Sequence, residues 1–126
     1  MKTIQAEPER IEREVRDVEA AGETALLWFY ASEREETGRS WCPDCSAAEP
    51  VIAAAMETCR HESYMMIKCA VGLPLAWKDE DHPCRHMTFF DLKRLPTLLR
   101  LDHGKVVASV IEGDCSNTAL VTEFFQ

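Results

Sequence analysis

A chain of 126 residues is long enough to bury a core without crosslinks and reads as one domain, residues 1–126. Apolar residues make up 46% and charged residues 29%, the balance of a folded, soluble domain. The formal net charge of −8 argues against nucleic acid or an anionic membrane as a partner held by a basic surface.

Met1 to Glu7 lack the apolar centre of a secretory signal, and the longest apolar run, Ala25 to Ala31, is too short to span a bilayer. The expected setting is therefore reducing and intracellular.

Thr3 to Gln5 predicts a short edge strand. Pro8 then opens a helical segment to about Ala21, with Ile11, Val15 and Val18 at helical spacing, charged residues on the other faces, and Gly22 just past its end. Thr24 to Ala31 is continuously apolar and of strand length, the pattern of a strand buried on both faces and so of a sheet covered by helices on each side. Ser32 to Ser40 is charged, contains Gly38 and reads as a loop. Ser46 to Arg60 carries a helical apolar face of Ala47, Ala48, Val51, Ile52, Ala55 and Met56, with Pro50 inside it removing one backbone donor.

Tyr64 to Val71 predicts a second central strand, and Gly72 to Pro83 a long polar connection. A short helix with Cys84, Met87 and Phe90 is expected between Pro83 and Asp91. Leu98 to Leu101 and Val106 to Ile111 flank the turn signal Asp102-His103-Gly104-Lys105, which predicts a hairpin. Ser116 or Asn117 caps a final helix with Leu120, Val121, Phe124 and Phe125 on its apolar face. The expected fold class is α/β: a parallel first half and a terminal antiparallel hairpin form a mixed sheet between helices.

Trp41-Cys42-Pro43-Asp44-Cys45 stands at the start of the second long helix. Two cysteines with two residues between them at a helix start lie close enough to exchange a disulfide. There the free backbone N–H groups and the helix dipole favour an anion on Cys42, the nucleophile, while Cys45, one turn in, is the resolving thiol. Pro43 constrains the turn. The Asp44 carboxylate opposes the thiolate as a like charge, or accepts the proton from Cys45 during resolution.

Two other readings compete. Three structural disulfides fit the even count of six cysteines, but not an intracellular setting. A zinc site would draw on His82, Cys84, His86 or His103, of which His82 and His86 have ligand spacing; neither Trp41 nor Pro50 serves such a site. Cys59, Cys69, Cys84 and Cys115 read as buried small apolar residues.

Trp-Cys-x-x-Cys after a buried strand, Pro50 beyond it, and Leu95-Pro96-Thr97-Leu98-Leu99 together resemble the thioredoxin-like superfamily. More narrowly, Gly38 to Pro50 (GRSWCPDCSAAEP), Cys69-Ala70-Val71-Gly72, Trp77-Lys78-Asp79 and Pro96-Thr97-Leu98-Leu99 are similar to the thioredoxin domain-containing protein 17 family, the thioredoxin-related proteins of 14 kDa. The likeness covers nearly the whole chain. It implies a thioredoxin-like fold and a cytoplasmic protein-disulfide reductase with no bound cofactor, expected to be a monomer. Thioredoxin reductase would recharge it with electrons from NADPH. Small disulfides such as cystine and selected protein disulfides would be its substrates.

Matched residue by residue, Cys42 is the nucleophile and Cys45 the resolving thiol. Pro96 is the cis-proline facing the dithiol, and Trp41, Pro43 and Leu95 complete the substrate-binding rim. Trp28 stands where thioredoxin itself keeps a buried aspartate, which directs attention to Asp44 as the acid. A thioredoxin-like adaptor without turnover, using the loop around Trp77, is the other class of function.

Overall fold

The apolar run becomes a strand with no solvent face: Ala25 through Phe29 are all buried. The computed structural model describes Met1–Gln126. In chain order its elements are β1 (Lys2–Gln5), α1 (Ile11–Ala20), β2 (Thr24–Tyr30), α2 (Pro43–Thr58), β3 (Tyr64–Ala70), α3 (Pro74–Trp77), β4 (Thr97–Asp102), β5 (Lys105–Ile111) and α4 (Thr118–Phe125). Single 3-10 turns lie at Pro8–Arg10, Pro83–His86 and Glu112–Ser116. No helix is long and apolar enough to cross a membrane.

The five strands stand in the order β1-β3-β2-β4-β5. β3 pairs in parallel with both β1 and β2, whereas β4 runs antiparallel to β2 and β5 antiparallel to β4. The chain moves one way across the sheet from β1 to β2 and back again from β2 to β3. Right-handed crossovers therefore place α1 and α2 on opposite faces.

Alternate residues of β2 enter two separate cores. Ala25, Leu27 and Phe29 pack with Ile11, Val15 and Val18 of α1 and with Ile67, Leu99 and Leu101. Leu26 and Trp28 pack with Ala48 and Ile52 of α2, Met66, Leu98, and Val121, Phe124 and Phe125 of α4. Each such aliphatic or aromatic side chain contributes about 1.5–3 kcal/mol on burial.

Local chemistry fixes the ends of these elements. Pro43 occupies the first turn of α2, where a missing N–H costs nothing, so the helix begins before the expected Ser46. Pro50 lies inside it and leaves the Ser46 carbonyl without its usual donor. The β4–β5 hairpin turns through His103 (φ 51°) and Gly104 (φ 75°), two left-handed residues that match strand twist. The Asn117 side chain accepts a hydrogen bond from the Leu120 N–H at 3.2 Å, and the Arg100 guanidinium donates to the Phe124 carbonyl at 2.8 Å, so α4 is held at both ends.

Two expectations change between β3 and β4. The polar connection after Val71 contains the one-turn helix α3, started by Pro74, whose Trp77 is buried under the Arg85 guanidinium 3.8 Å from its ring centre. The helix expected between Pro83 and Asp91 is a single 3-10 turn ending at His86. Met87 and Leu92 beyond it still reach the core from irregular backbone.

Leu27→Ala, at a fully buried site in the central strand, is expected to lower stability by about 2–5 kcal/mol. Asn117→Ala should cost about 1 kcal/mol through loss of the cap. Urea unfolding measures both, as a lower midpoint with an unchanged slope.

Candidate active site

β2 ends at Tyr30, and the backbone then makes a small antiparallel detour. Glu33 bridges Ser40, and the Arg34 N–H donates to the Arg39 carbonyl at 2.8 Å. The loop expected at 32–40 is thus a closed hairpin that returns the chain to the end of β2. Ser40 fastens the return: its hydroxyl donates to the Ala31 carbonyl at 3.2 Å and accepts from the Cys42 N–H at 3.2 Å.

Cys42 is the N-cap residue of α2, with extended backbone (φ −102°, ψ 113°) and a half-buried side chain. Its thiol lies 3.9 Å from the Leu95 carbonyl oxygen. The Leu95–Pro96 bond is cis, and both residues are buried. The loop behind them is held by the Glu112 N–H donating to the Pro96 carbonyl at 2.7 Å. The structure therefore brings Cys42, Cys45, Leu95 and Pro96 together from α2 and the start of β4.

Cys45, 5% exposed, accepts a long hydrogen bond from the Ala31 N–H at 3.4 Å. Burial pushes its thiol up to about 12, and the adjacent Cys42 thiol adds to the rise. One sulfur is thus reachable and the other is held as a thiol. All six cysteines are free in this structure.

The Trp41 indole N–H donates to the Gly72 carbonyl at 2.9 Å, and the Gly72 N–H donates to the Ser32 hydroxyl at 2.9 Å. Gly72 has φ 108°, and a Cβ there would stand 3.0 Å from that of Ala76, so a larger residue would be strained. Ser32, Ser40 and Gly72 hold the motif in place; the sequence places Ser40 and Gly72 within the family-like stretches Gly38 to Pro50 and Cys69 to Gly72 but assigns none of the three a role. Their local signals are a serine two residues before a helix N-cap and a glycine ending a strand.

Pro43 and Asp44 occupy the first turn of α2 with exposed side chains. Asp44 does not line the cleft that reaches Cys45. That cleft, of about 500 Å³, is bordered by Trp28, Tyr30, Cys45, Glu49 and Lys68. Trp28 is buried, and its indole nitrogen has no hydrogen-bond partner.

Three of the remaining cysteines are packed groups, whereas Cys59, also expected to be buried, is only half-buried just past α2, with its thiol 3.7 Å from the Phe125 carbonyl. Cys69 and Cys84 are fully buried beside one another; their thiol–thiol hydrogen bond, followed by burial, pushes Cys69 far above the usual thiol range. Burial likewise pushes Cys115 up to about 12. The residues of the zinc reading are engaged separately. One His82 ring nitrogen meets the Val71 carbonyl at 2.8 Å and the other accepts from the Cys84 N–H at 3.1 Å. His86 meets the Glu80 carbonyl at 2.6 Å, and His103 is exposed beside Asp102. No three His, Cys, Asp or Glu side chains are grouped to hold a metal ion.

Residues 5–126 match the family model described as thioredoxin domain-containing protein 17-like, thioredoxin domain. The chain belongs to that family. It is 32% identical to mouse thioredoxin domain-containing protein 17 over 117 residues, covering 93% of this chain and 88% of the relative. It is 34% identical to the thioredoxin-like protein Clot of rice over 93 residues, covering 71% and 67%. Among solved structures, oxidised thioredoxin O2 of Arabidopsis thaliana superposes with a TM-score of 0.64 at 15% identity, covering 99% of this chain and 96% of that one. A thioredoxin f2 in complex with ferredoxin:thioredoxin reductase gives 0.64 at 14% identity, covering 98% and 94%. These likenesses establish the thioredoxin fold, and the family supports thiol–disulfide oxidoreductase chemistry through a cysteine pair.

In the folded, reduced protein, iodoacetamide is expected to label Cys42 and the half-buried Cys59, and to reach Cys45, Cys69, Cys84 and Cys115 only on unfolding; peptide mass spectrometry reads this directly. Cys45, Cys69 and Cys115 retain protons that unfolded thiols lose near 9.0. Their contribution to stability is complete below that pH and falls as pH rises toward 12. Denaturant midpoints of the reduced protein should therefore drop from pH 8 upward, and less steeply in Cys115→Ala.

Proposed function

We propose that the protein is a monomeric protein-disulfide reductase whose working group is the Cys42–Cys45 dithiol. One observation carries this reading. A half-exposed thiol at a helix N-cap faces Leu95–Pro96, with a buried second thiol one turn behind it.

Cys42 as thiolate attacks one sulfur of a substrate disulfide. A bond forms between the Cys42 sulfur and that sulfur, the substrate S–S bond breaks, and the other half leaves as a thiolate that takes up a proton. Cys45 loses its proton and attacks the Cys42 sulfur, forming the Cys42–Cys45 disulfide and releasing the second substrate thiolate. Two electrons pass from the dithiol to the substrate. Thioredoxin reductase returns them from NADPH, and no cofactor is bound.

Trp41, Pro43, Leu95 and Pro96 form the rim against which substrate lies. Small disulfides such as cystine, and protein disulfides that present an extended segment, are the proposed substrates. The proposed setting is the cytoplasm. Asp44, exposed in the first turn of α2, acts on the charge at Cys42. The adaptor alternative loses the Trp77 face on which it relied, because that ring is buried.

Cys45→Ser is expected to accumulate a mixed disulfide on Cys42, and Cys42→Ser to accumulate none. In a coupled assay with thioredoxin reductase and cystine or insulin, the wild type should consume NADPH and Cys42→Ser should not. Activity retained by Cys42→Ser would sink the assignment, and no NADPH consumption by the wild type with any electron donor would favour the adaptor.

A further inference from the structure

Resolution requires Cys45 to part with a proton in a site where burial opposes its anion. On α2 the residue one turn beyond Cys45, on the same face, is Glu49. Cys45 and Glu49 border one cleft; Asp44, adjacent in sequence, does not. Trp28, which lines the cleft, carries a buried polar atom without a partner. Trp28 is 5% exposed, and its Nε1 is the one buried side-chain nitrogen or oxygen with no hydrogen-bond partner in the protein. An indole N–H donates and cannot accept, so it can fix the oxygen of a water but cannot take a proton itself. The Lys68 ammonium lies 4.9 Å from the centre of the Trp28 ring and 5.7 Å from that of Tyr30. Neither Lys68 nor Glu49 is in an ion pair.

We propose that Glu49 accepts the proton of Cys45, through water held in this cleft, as Cys45 attacks the Cys42 mixed disulfide. The inference rests on the reductase reading above. The Cys45 S–H bond breaks, its proton passes by way of water to the Glu49 carboxylate, and its electron pair forms the bond to the Cys42 sulfur. The bond from Cys42 to the substrate sulfur breaks, and the departing thiolate takes a proton from solvent or from the Glu49 carboxylic acid, which returns Glu49 to its starting form. Lys68 borders the same cleft as Cys45 and brings a positive charge to it. The other ionisable groups facing the cleft are Glu33 and Arg39 from the 32–40 hairpin and the Tyr30 hydroxyl, which accepts from Gln5 at 2.8 Å. Glu57 and Met1 line an adjoining cleft that shares Trp28, Glu49 and Lys68.

The test is stopped-flow reaction of the reduced full chain, in every form carrying Cys59→Ser to remove the other half-buried thiol, with the chromogenic disulfide dithiobis(nitrobenzoate). Attack by Cys42 releases one coloured thiolate and attack by Cys45 a second, so the two steps appear as separate bursts; Cys45→Ser marks the first alone. Glu49 is exposed and makes no hydrogen bond, so Glu49→Gln leaves the packing of α2 intact. Glu49→Gln is expected to slow the second burst roughly tenfold or more at neutral pH and to leave the first unchanged. Its second burst should climb with pH over a range where that of the wild type is level, and Glu49→Asp should recover part of the rate. A second burst in Glu49→Gln equal to wild type at every pH overturns the assignment, as does equal slowing of both bursts. Absence of any second burst in the wild type overturns the reductase reading itself.

Discussion

A strand with no solvent face imposes most of this architecture. Because Ala25 through Phe29 are all buried, both sides of β2 must be covered, and each side takes a different set of helices: α1 on one, α2 and α4 on the other. Opposite crossovers from one strand open a crevice at its carboxyl end, where ligand and catalytic groups collect in open α/β sheets. Here the crevice receives the helix that carries both cysteines. The strand also supplies a direct restraint, since the first backbone N–H beyond it, that of Ala31, is bonded to the Cys45 sulfur. Shifting β2 by one residue would exchange its two cores and move that N–H away from the thiol.

Two short polar chains hold the crevice in shape. Ser40 joins the end of β2 to the N-cap of α2, and Gly72 joins the end of β3 to Trp41 and to Ser32. Both use groups at the ends of the parallel pair β2 and β3, so the registration of these strands passes directly to the motif. The left-handed backbone of Gly72, and its closeness to Ala76, let α3 begin at once beneath the Trp41 indole. A rigid dithiol turn thus comes from backbone groups of three segments distant in sequence, not from the Cys-x-x-Cys stretch alone.

What could be seen in the sequence follows from the range of the interactions involved. Periodicity located α1, β2, α2, β3 and α4, because Ile11, Val15 and Val18, or the run from Ala25 to Phe29, repeat within one element. The hairpin was legible from His103-Gly104, whose backbone needs are local. The candidate dithiol was legible from Cys42 and Cys45, and the facing Leu95–Pro96 from its likeness to known sequences. Residues 72–96 were less so. Their one-turn helix and 3-10 turn are held by side chains reaching far along the chain, such as His82 to the Val71 carbonyl and Arg85 to the Trp77 carbonyl at 2.9 Å. No periodicity records such bonds. The cleft behind Cys45 was invisible for the same reason: it joins β2, β3 and α2 through Trp28, Lys68 and Glu49, whose side chains meet only after the sheet has formed.

An uncharged, buried Trp28 in the middle of β2 sets the electrostatics of the whole site. A carboxylate in the middle of β2 would require either a partner or protonation, and would raise the cost of any thiolate near it. An indole places no charge in the core, so at neutral pH the buried parts of the site are neutral thiols and rings. The ionised groups, Asp44 and Glu49 on α2 and Lys68 on β3, remain at its borders. The division suits two sulfurs with opposite requirements. In the proposed exchange Cys42 reacts as its anion beside a helix N-terminus, and Cys45 stays a thiol until a mixed disulfide has formed. Burial keeps Cys45 protonated while Cys42 is free, and the Cys42 thiol beside it adds to that effect. Once Cys42 is bound to a substrate sulfur, its own thiol no longer opposes ionisation of Cys45. The order of the two proposed steps therefore follows from the same packing that forms the core.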